Sequence, residues 1–221
     1  MPRSNQGNTS RGRTGIRFIA CALAVFAALF TLVRNNRTAE LDHAVTVRLQ
    51  RRKPPWFSRL MHLVSWPGFP PQSRIIPWTL PAIFLLLGRP LDALFQLMGW
   101  GTGFFSFMVK RHVRRPRPNH PAINVVAARI GGSSFPSGHV INYVGVYGTL
   151  AYLIQTHLRP PALRSTLVAA LSSLIALVGP SRIYLGHHWL TDVSASYLLG
   201  LSYLTGLTAA YRFVHRRIGR Q

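Results

Sequence analysis

Six stretches of the chain carry no Asp, Glu, Lys or Arg and are dominated by apolar side chains: residues 18–33, 75–88, 93–109, 140–158, 165–181 and 193–211. A helix of about 20 residues crosses the hydrocarbon core of a bilayer, and about 17 is the lower end. Four of the six stretches reach that range. The first nearly does, and gains Ile16 if Arg17 snorkels to the interface. Residues 75–88 are short and contain Pro77 and Pro81, and read as a kinked crossing, because an even count puts both termini on one side. The pattern predicts an all-α fold, an integral membrane bundle of six transmembrane helices. Residues 1–15 are polar and basic and are expected to be disordered. Residues 16–215 form one domain, and residues 216–221 a short basic tail.

The first apolar stretch also invites a signal-peptide reading, with Arg3, Arg11, Arg13 and Arg17 before it. No small-x-small cleavage site follows Val33, where the chain reads Arg34-Asn35-Asn36-Arg37, so an uncleaved anchor is the better expectation. Residues 34–74 separate the first two stretches. They carry Arg48, Arg51, Arg52 and Lys53, then Trp56, Phe57, Trp66 and Phe69. An interfacial helix on anionic headgroups and a solvated basic loop both fit this segment. Residues 110–138 are dense in Arg, Pro and small residues, with no helical stripe.

Composition narrows the class further. Lys and Arg number 26 against 4 Asp and Glu, a formal net charge of +22, yet 48% of residues are hydrophobic. That apolar content excludes a disordered basic chain. With 14% charged residues, far from balanced in sign, an ordinary soluble domain is also a poor fit. A nucleic-acid binder would gather its cations into one patch. Here they flank apolar stretches, and no zinc-finger or helix-turn-helix pattern appears. The single Cys21 rules out an internal disulfide framework. Glu40, Asp42, Asp92 and Asp192 are too scattered along the chain for a carboxylate-built two-metal site.

Three clusters of chemically capable residues sit at the ends of apolar stretches. They are Lys110-x6-Arg117-Pro118, Pro136-Ser137-Gly138-His139 and Ser181-Arg182-x5-His188-x3-Asp192. In an alternating six-helix topology all three meet at one membrane face. Lys110, Arg117 and Arg182 are three cations; the Arg fork suits phosphate oxygens and Lys adds a point charge. Ser137 and Gly138 open a helix, where unpaired backbone N–H groups favour an anion. His188 and Asp192, four residues apart, share a helix face. The carboxylate would fix the imidazole tautomer and free the other nitrogen to attack, while His139 protonates the leaving oxygen. Anion clamp, nucleophile and separate acid describe metal-free phosphoryl transfer through a phosphohistidine.

These residues match, position by position, the three-part signature of the type-2 phosphatidic acid phosphatase and vanadium haloperoxidase superfamily, and the resemblance spans about residues 75–211. It implies that His188 is the nucleophile, Asp192 its partner and His139 the general acid. Lys110, Arg117, Ser137, Gly138 and Arg182 would hold the phosphate, with no metal and no cofactor. It also implies a six-helix bundle in a bacterial inner membrane with an extracytoplasmic site. The expected substrates are lipid phosphates such as undecaprenyl pyrophosphate, phosphatidic acid or phosphatidylglycerol phosphate.

Each residue alone has an ordinary reading. A lone His at a helix start is usually a cap or a surface group, and basic residues beside membrane helices are usually anchors. Asp192 is stronger, since acids in membrane helices are costly. His187 is expected to pack or touch a headgroup rather than act. A zinc site from His187, His188 and Asp192 would lack a fourth ligand and leave three cations unexplained. His112, His120, Arg114 and Arg115 are expected to line the mouth or stay solvated. A phosphotransferase using the same phosphohistidine, and a non-catalytic protein binding anionic lipids, are the alternatives. With cytoplasmic termini, 11 of the 26 basic residues fall on the inner side and 15 outside, 8 of these in the long first loop.

Overall fold

The computed structural model describes residues 4–51, 54–128 and 130–218, with side chains from residue 12 onward. These residues form nine α-helices, one 3-10 turn and no strand. The helices are α1 (Ser4–Arg34), α2 (Ala39–Arg51), α3 (Pro55–Ser65), α4 (Gln72–Leu86), α5 (Pro90–Gly99), α6 (Thr102–His112), α7 (Gly138–His157), α8 (Pro161–Tyr184) and α9 (Leu190–Ile218). Proline at the first position of α3, α5 and α8 supplies a pre-set φ where its missing N–H costs nothing.

The all-helical expectation holds, but the six crossings do not emerge as six long helices. By length and composition, two helical segments qualify as membrane spans among the described residues: Gly12–Arg34, with mean hydropathy 2.4, and Pro161–Tyr184, with 1.7. The stretch 93–109 breaks into α5 and α6 at Trp100 and Gly101. α4, with 15 residues, extends only about 22 Å at 1.5 Å per residue. α7 has the length, at 20 residues, but it is the central helix and carries Asn142, Gly145, Gly148 and Thr149 along its packed faces. A helix that meets protein on most sides has little need of an apolar surface. The N-terminal segment also departs from expectation: α1 begins at Ser4, so residues 4–15 are helical. Residues 1–3 and 219–221 lie outside the described residues. The basic tail from residue 216 is likewise helical as far as Ile218.

α7 packs on α5, α6, α8 and α9, while α1 lies along α9. Large apolar side chains face outward from α1, α4, α5, α6 and α8, including Ile16, Ile83, Leu86, Leu94, Phe104, Phe107 and Leu163. An apolar surface this extensive needs lipid around it. At one end of the bundle Phe26, Phe30 and Val33 of α1 gather around Phe135 with Val109, Val113 and Ala195. At the other, Phe95, Leu153, Leu207 and Tyr211 cluster with Phe84 and Leu91. The ends of α6 and α8 and the starts of α7 and α9 therefore lie at the first end.

Residues 34–74 hold helices, not the solvated loop that was one of the two expected forms. They fold into α2 and α3, which pack against α8 through Leu49, Phe57, Leu60 and Met61 on Tyr184 and Leu185. Trp56, Leu63 and Trp66 stay exposed on this cap. Arg52 and Lys53 lie outside the described residues.

α7 meets α5 glycine on glycine. A Cβ at Gly145 would sit 2.1 Å from the Gly99 carbonyl oxygen and 2.6 Å from Thr102 Oγ1. Neither can move without shifting α5 or α6. Gly145→Ala is therefore expected to destabilise the bundle by about 1–3 kcal/mol, read as a lower unfolding temperature in detergent. Gly206→Ala, with nothing within 4 Å, is the control and should hold or raise that temperature.

Candidate active site

The C-terminal end of α8 builds the first part of the site. Gly186 has φ +70, which glycine adopts without strain, and a Cβ there would meet the Asn124 carbonyl oxygen at 2.7 Å. With it the helix closes in a Schellman turn: Gly186 N–H donates to Ile183 O and His187 N–H to Arg182 O, each at 3.0 Å. His188 N–H also reaches Arg182 O, at 3.2 Å. The two histidines are thus pinned to the backbone of the residue that supplies the deepest cation.

α9 begins next, and Asp192 occupies its third helical position. Its Oδ2 accepts the Trp189 N–H at 2.9 Å, the reach-back contact of a capping box. Its Oδ1 takes Arg115 Nη1 at 2.5 Å. Asp192 Oδ2 lies 3.5 Å from His188 Nδ1, but the nearer acceptor for that nitrogen is Ser134 O, at 2.8 Å. This corrects the expectation that the carboxylate alone fixes the imidazole. The backbone carbonyl holds the tautomer, and Asp192, already occupied by Arg115 and Trp189, supplies negative charge beside it. With Nδ1 protonated, Nε2 carries the lone pair, and Arg117 Nη1 points at it from 3.2 Å.

The cations converge as the topology required. Lys110 Nζ donates to Ser133 O at 2.7 Å, and Arg117 Nη2 approaches the same oxygen at 3.5 Å. Arg117 also donates to Gly131 O and His187 O, at 3.0 and 2.9 Å. Arg182 is fully buried, with Nη1 donating to Ser65 Oγ at 3.0 Å and its guanidinium 4.9 Å from the Phe69 ring centre. Ser137 is the N-cap of α7 but makes no side-chain cap bond, and its N–H faces Asp192 O at 3.4 Å. Gly138 follows it as the first residue of α7. The His139 ring packs on Phe69, centroids 4.8 Å apart, and against Gly68, where a Cβ would come within 2.1 Å of the ring.

Nine buried side-chain polar atoms lack a hydrogen-bond partner among the described residues. Five belong to this cluster: Arg117 Nε, Arg182 Nε and Nη2, Ser137 Oγ and His139 Nε2. Buried polar atoms are ordinarily satisfied. Burial, followed by the fields of Arg182, Arg117 and Lys110, lowers the pKa of His188 well below 6.5, so it is neutral near pH 7. Burial and then Arg182 lower His187 to about 4.

A sequence model of the PAP2 superfamily matches residues 92–217, more than half of the chain. The chain belongs to the PAP2 superfamily. Phosphatidylglycerophosphatase B of Bacillus subtilis (strain 168) is 29% identical over 180 residues, covering 80% of this chain and 86% of that protein. Decaprenylphosphoryl-5-phosphoribose phosphatase of Mycobacterium tuberculosis is 35% identical over 133 residues, covering 58% of this chain and 68% of that protein. Among solved structures, the transmembrane PAP2-type phosphatidylglycerolphosphate phosphatase from Bacillus subtilis superposes with a TM-score of 0.75 at 25% identity, covering 86% of this chain and 94% of that one. LpxE of Aquifex aeolicus shares the fold, with a TM-score of 0.60 at 19% identity over 76% of this chain and 95% of that one. The protein is a PAP2-family membrane phosphatase, a hydrolase.

Sequence reading missed several groups that build this PAP2 site. Arg115, expected at the mouth or in solvent, instead bridges two buried carboxylates: Nη1 to Asp192 and Nη2 to Asp42 Oδ2, both at 2.5 Å. Asp42 also accepts the Thr191 N–H and hydroxyl, at 2.9 and 2.8 Å. Its one sequence signal was an acid within a strongly basic segment. His187 packs, as expected: Nε2 donates to Val126 O at 2.8 Å, and the ring is buried near Phe69. His120 stacks on His43, centroids 4.4 Å apart, and His112 bonds Met108 O. Among the described residues no group of three or more potential metal-ligating side chains occurs.

Removing Arg115 strands Asp42 and Asp192 in the interior. Arg115→Met is therefore expected to cost about 3–5 kcal/mol, seen as a large drop in unfolding temperature, whereas Arg111→Met on the exposed surface should cost little.

His187 gives a pH signature. Its unfolded form protonates near 6.5 and its folded form only near 4, so the stability it contributes is full above 6.5 and is lost as pH falls towards 4. Between those values the unfolding temperature should fall with acidification, and His187→Gln should flatten the slope. An unchanged slope in the variant would remove His187 as its source.

Proposed function

We propose that this phosphatase hydrolyses lipid phosphates or pyrophosphates through a phosphohistidine on His188, without metal. The observation that supports it is the set of five unpartnered polar atoms on Arg117, Ser137, His139 and Arg182. A phosphoryl group seated among them would supply acceptors to donors that have no partner among the described residues, and Lys110 and the first N–H groups of α7 would complete the clamp.

Chemistry in this clamp proceeds in two displacements. His188 Nε2 forms a bond to phosphorus as the ester P–O bond breaks, and the leaving oxygen takes a proton from His139. The contact of Arg117 Nη1 passes from the imidazole to a phosphoryl oxygen. The negative charge of bound phosphate raises the proton affinity of His139. Water then attacks phosphorus, the P–N bond breaks, inorganic phosphate leaves, and His139 recovers a proton from the water. Lys110, Arg117 and Arg182 stand where divalent ions otherwise offset the charge developing on the transferred group.

The domain runs over residues 16–215 and crosses the bilayer six times, through α1, α4, α5 with α6, α7, α8 and α9. The even count puts both termini on one side; with that side taken as the cytoplasm, the site faces the extracytoplasmic side of a bacterial inner membrane. The chemistry stated for the similar bacterial proteins supports a lipid-linked phosphate as substrate.

The test is phosphate release by detergent-solubilised protein in EDTA, from an alkyl lipid phosphate and from an aryl phosphate. Wild type should turn over both. His188→Ala should lose both, together with any acid-labile phosphoenzyme. His139→Ala should lose about 100-fold or more on the alkyl substrate and far less on the aryl one, whose leaving group needs no proton. Equal losses on both would overturn the acid role, and a phosphoenzyme surviving in His188→Ala would overturn the nucleophile.

A further inference from the structure

The phosphate clamp uses neither Asp42 nor Arg115. Asp42 has no exposed surface and lies on α2, outside the matched segment of residues 92–217. Its Oδ1 accepts the Thr191 N–H at 2.9 Å, and its Oδ2 accepts the Thr191 hydroxyl at 2.8 Å and Arg115 Nη2 at 2.5 Å. Arg115 then reaches Asp192 Oδ1 through Nη1, at 2.5 Å. Its Nη1 also meets Thr191 Oγ1 at 2.8 Å, and its Nη2 meets Thr38 Oγ1 at 3.1 Å. The guanidinium lies over the Trp189 ring, 5.9 Å from the ring centre. One arginine is thus fixed on every side by α2, by the start of α9 and by the residue between the two histidines and α9.

Arg115 holds both groups that face Nδ1 of His188. Its side chain holds Asp192, whose Oδ2 is 3.5 Å from that nitrogen. Its backbone carbonyl accepts the Ser134 N–H at 2.9 Å, and the Ser134 carbonyl in turn accepts the Nδ1 proton. Charge matters here as much as position. Two carboxylates around one guanidinium leave one negative charge in excess; without Asp42 there is none. When Nε2 bonds phosphorus while Nδ1 keeps its proton, the imidazole ring becomes cationic. It does so with Arg117 at 3.2 Å from Nε2 and with Lys110 and Arg182 in the same clamp. A net negative group on the Nδ1 side stabilises that ring, and more strongly in a buried setting than in water.

We propose that Asp42 is a positioning residue for the phosphoryl-transfer step: through Arg115 it holds Asp192 against His188 and keeps that group net negative while the ring gains charge. The inference rests on the phosphohistidine reading above and extends the machinery to a residue outside the superfamily segment. A cap on α9 with no part in the chemistry would make the same hydrogen bonds, so charge rather than stability must be read out.

Inorganic phosphate and vanadate separate the two roles. Phosphate fills the clamp without a bond to nitrogen. Vanadate takes a trigonal-bipyramidal form with His188 Nε2 as apical ligand, and so reproduces the charged ring of the transition state. As competitive inhibitors of the full-length protein in detergent, vanadate should bind more tightly than phosphate. Asp42→Asn should lower kcat by about tenfold or more, the scale of one buried unit charge near the reacting group, with KM little changed. It should reduce the preference for vanadate over phosphate by the same factor, and Asp42→Glu should restore part of both. Gly145→Ala, which loosens the bundle away from these charges, should lower the unfolding temperature and leave the preference at its wild-type value. Asp42→Asn strands Arg115; if that variant does not fold, Asp42→Asn combined with Arg115→Gln removes both charges, keeps the single negative excess on Asp192 and should retain the wild-type preference. A preference unchanged in Asp42→Asn, or lost in the double variant, overturns the positioning role. Vanadate binding to wild type no more tightly than phosphate would instead overturn the nucleophile reading on which it rests.

Discussion

A fully buried guanidinium governs much of this architecture. Arg182 has no exposed surface, one hydrogen bond to Ser65 and two nitrogens without partners. An isolated charge in such surroundings is costly unless something compensates it. The surrounding chain supplies aromatic π density from Phe69, the hydroxyls of Ser65 and Ser181, and the Schellman turn that folds the histidine loop back over the same residue. No carboxylate forms an ion pair with Arg182 among the described residues. Arg182 Nε and Nη2 keep no partner among the described residues.

The acids are placed so as not to quench this deficit. Asp42 and Asp192 are both held by Arg115, and Asp192 is further occupied by the Trp189 N–H just before α9. One cation is thereby spent on two carboxylates, leaving Lys110, Arg117 and Arg182 to face the site with backbone carbonyls, His188 Nε2 and Ser65 as hydrogen-bond partners. This division links the N-terminal cap to the chemistry. Asp42 lies on α2, outside the segment that matches the superfamily, yet it sets where Arg115 sits and so how Asp192 is presented.

The same end of the bundle has two different walls. Towards α2 and α9 it is a dense polar network; towards α4 it opens into the cavity beside His139. Gly68 permits that opening, since any side chain there would strike the His139 ring. His139 thus stands where the two walls meet. At the far end, buried Asp92 and Tyr211 join half-buried His157 and Arg89 in their own cluster, which links α5, α7 and α9.

The amino-acid sequence alone determined the helical class, the apolar stretches and the meeting of three motifs at one end, because helix period and alternation of crossings are local properties of a chain. Lys110, Arg117, Ser137, His139, Arg182, His188 and Asp192 were legible for the same reason: each stands at a helix end with a chemically distinctive neighbour. Tertiary structure decided the rest. Residues 93–109 break into α5 and α6 beside the glycine contact with α7, and no hydropathy pattern encodes that contact. The bridge from Arg115 to Asp42 joins residues 73 apart in sequence, and the Ser134 carbonyl that orients His188 is a backbone atom with no residue type to announce it. Such contacts arise only when packing brings distant segments within hydrogen-bond reach, so they have no signature in the order of residues.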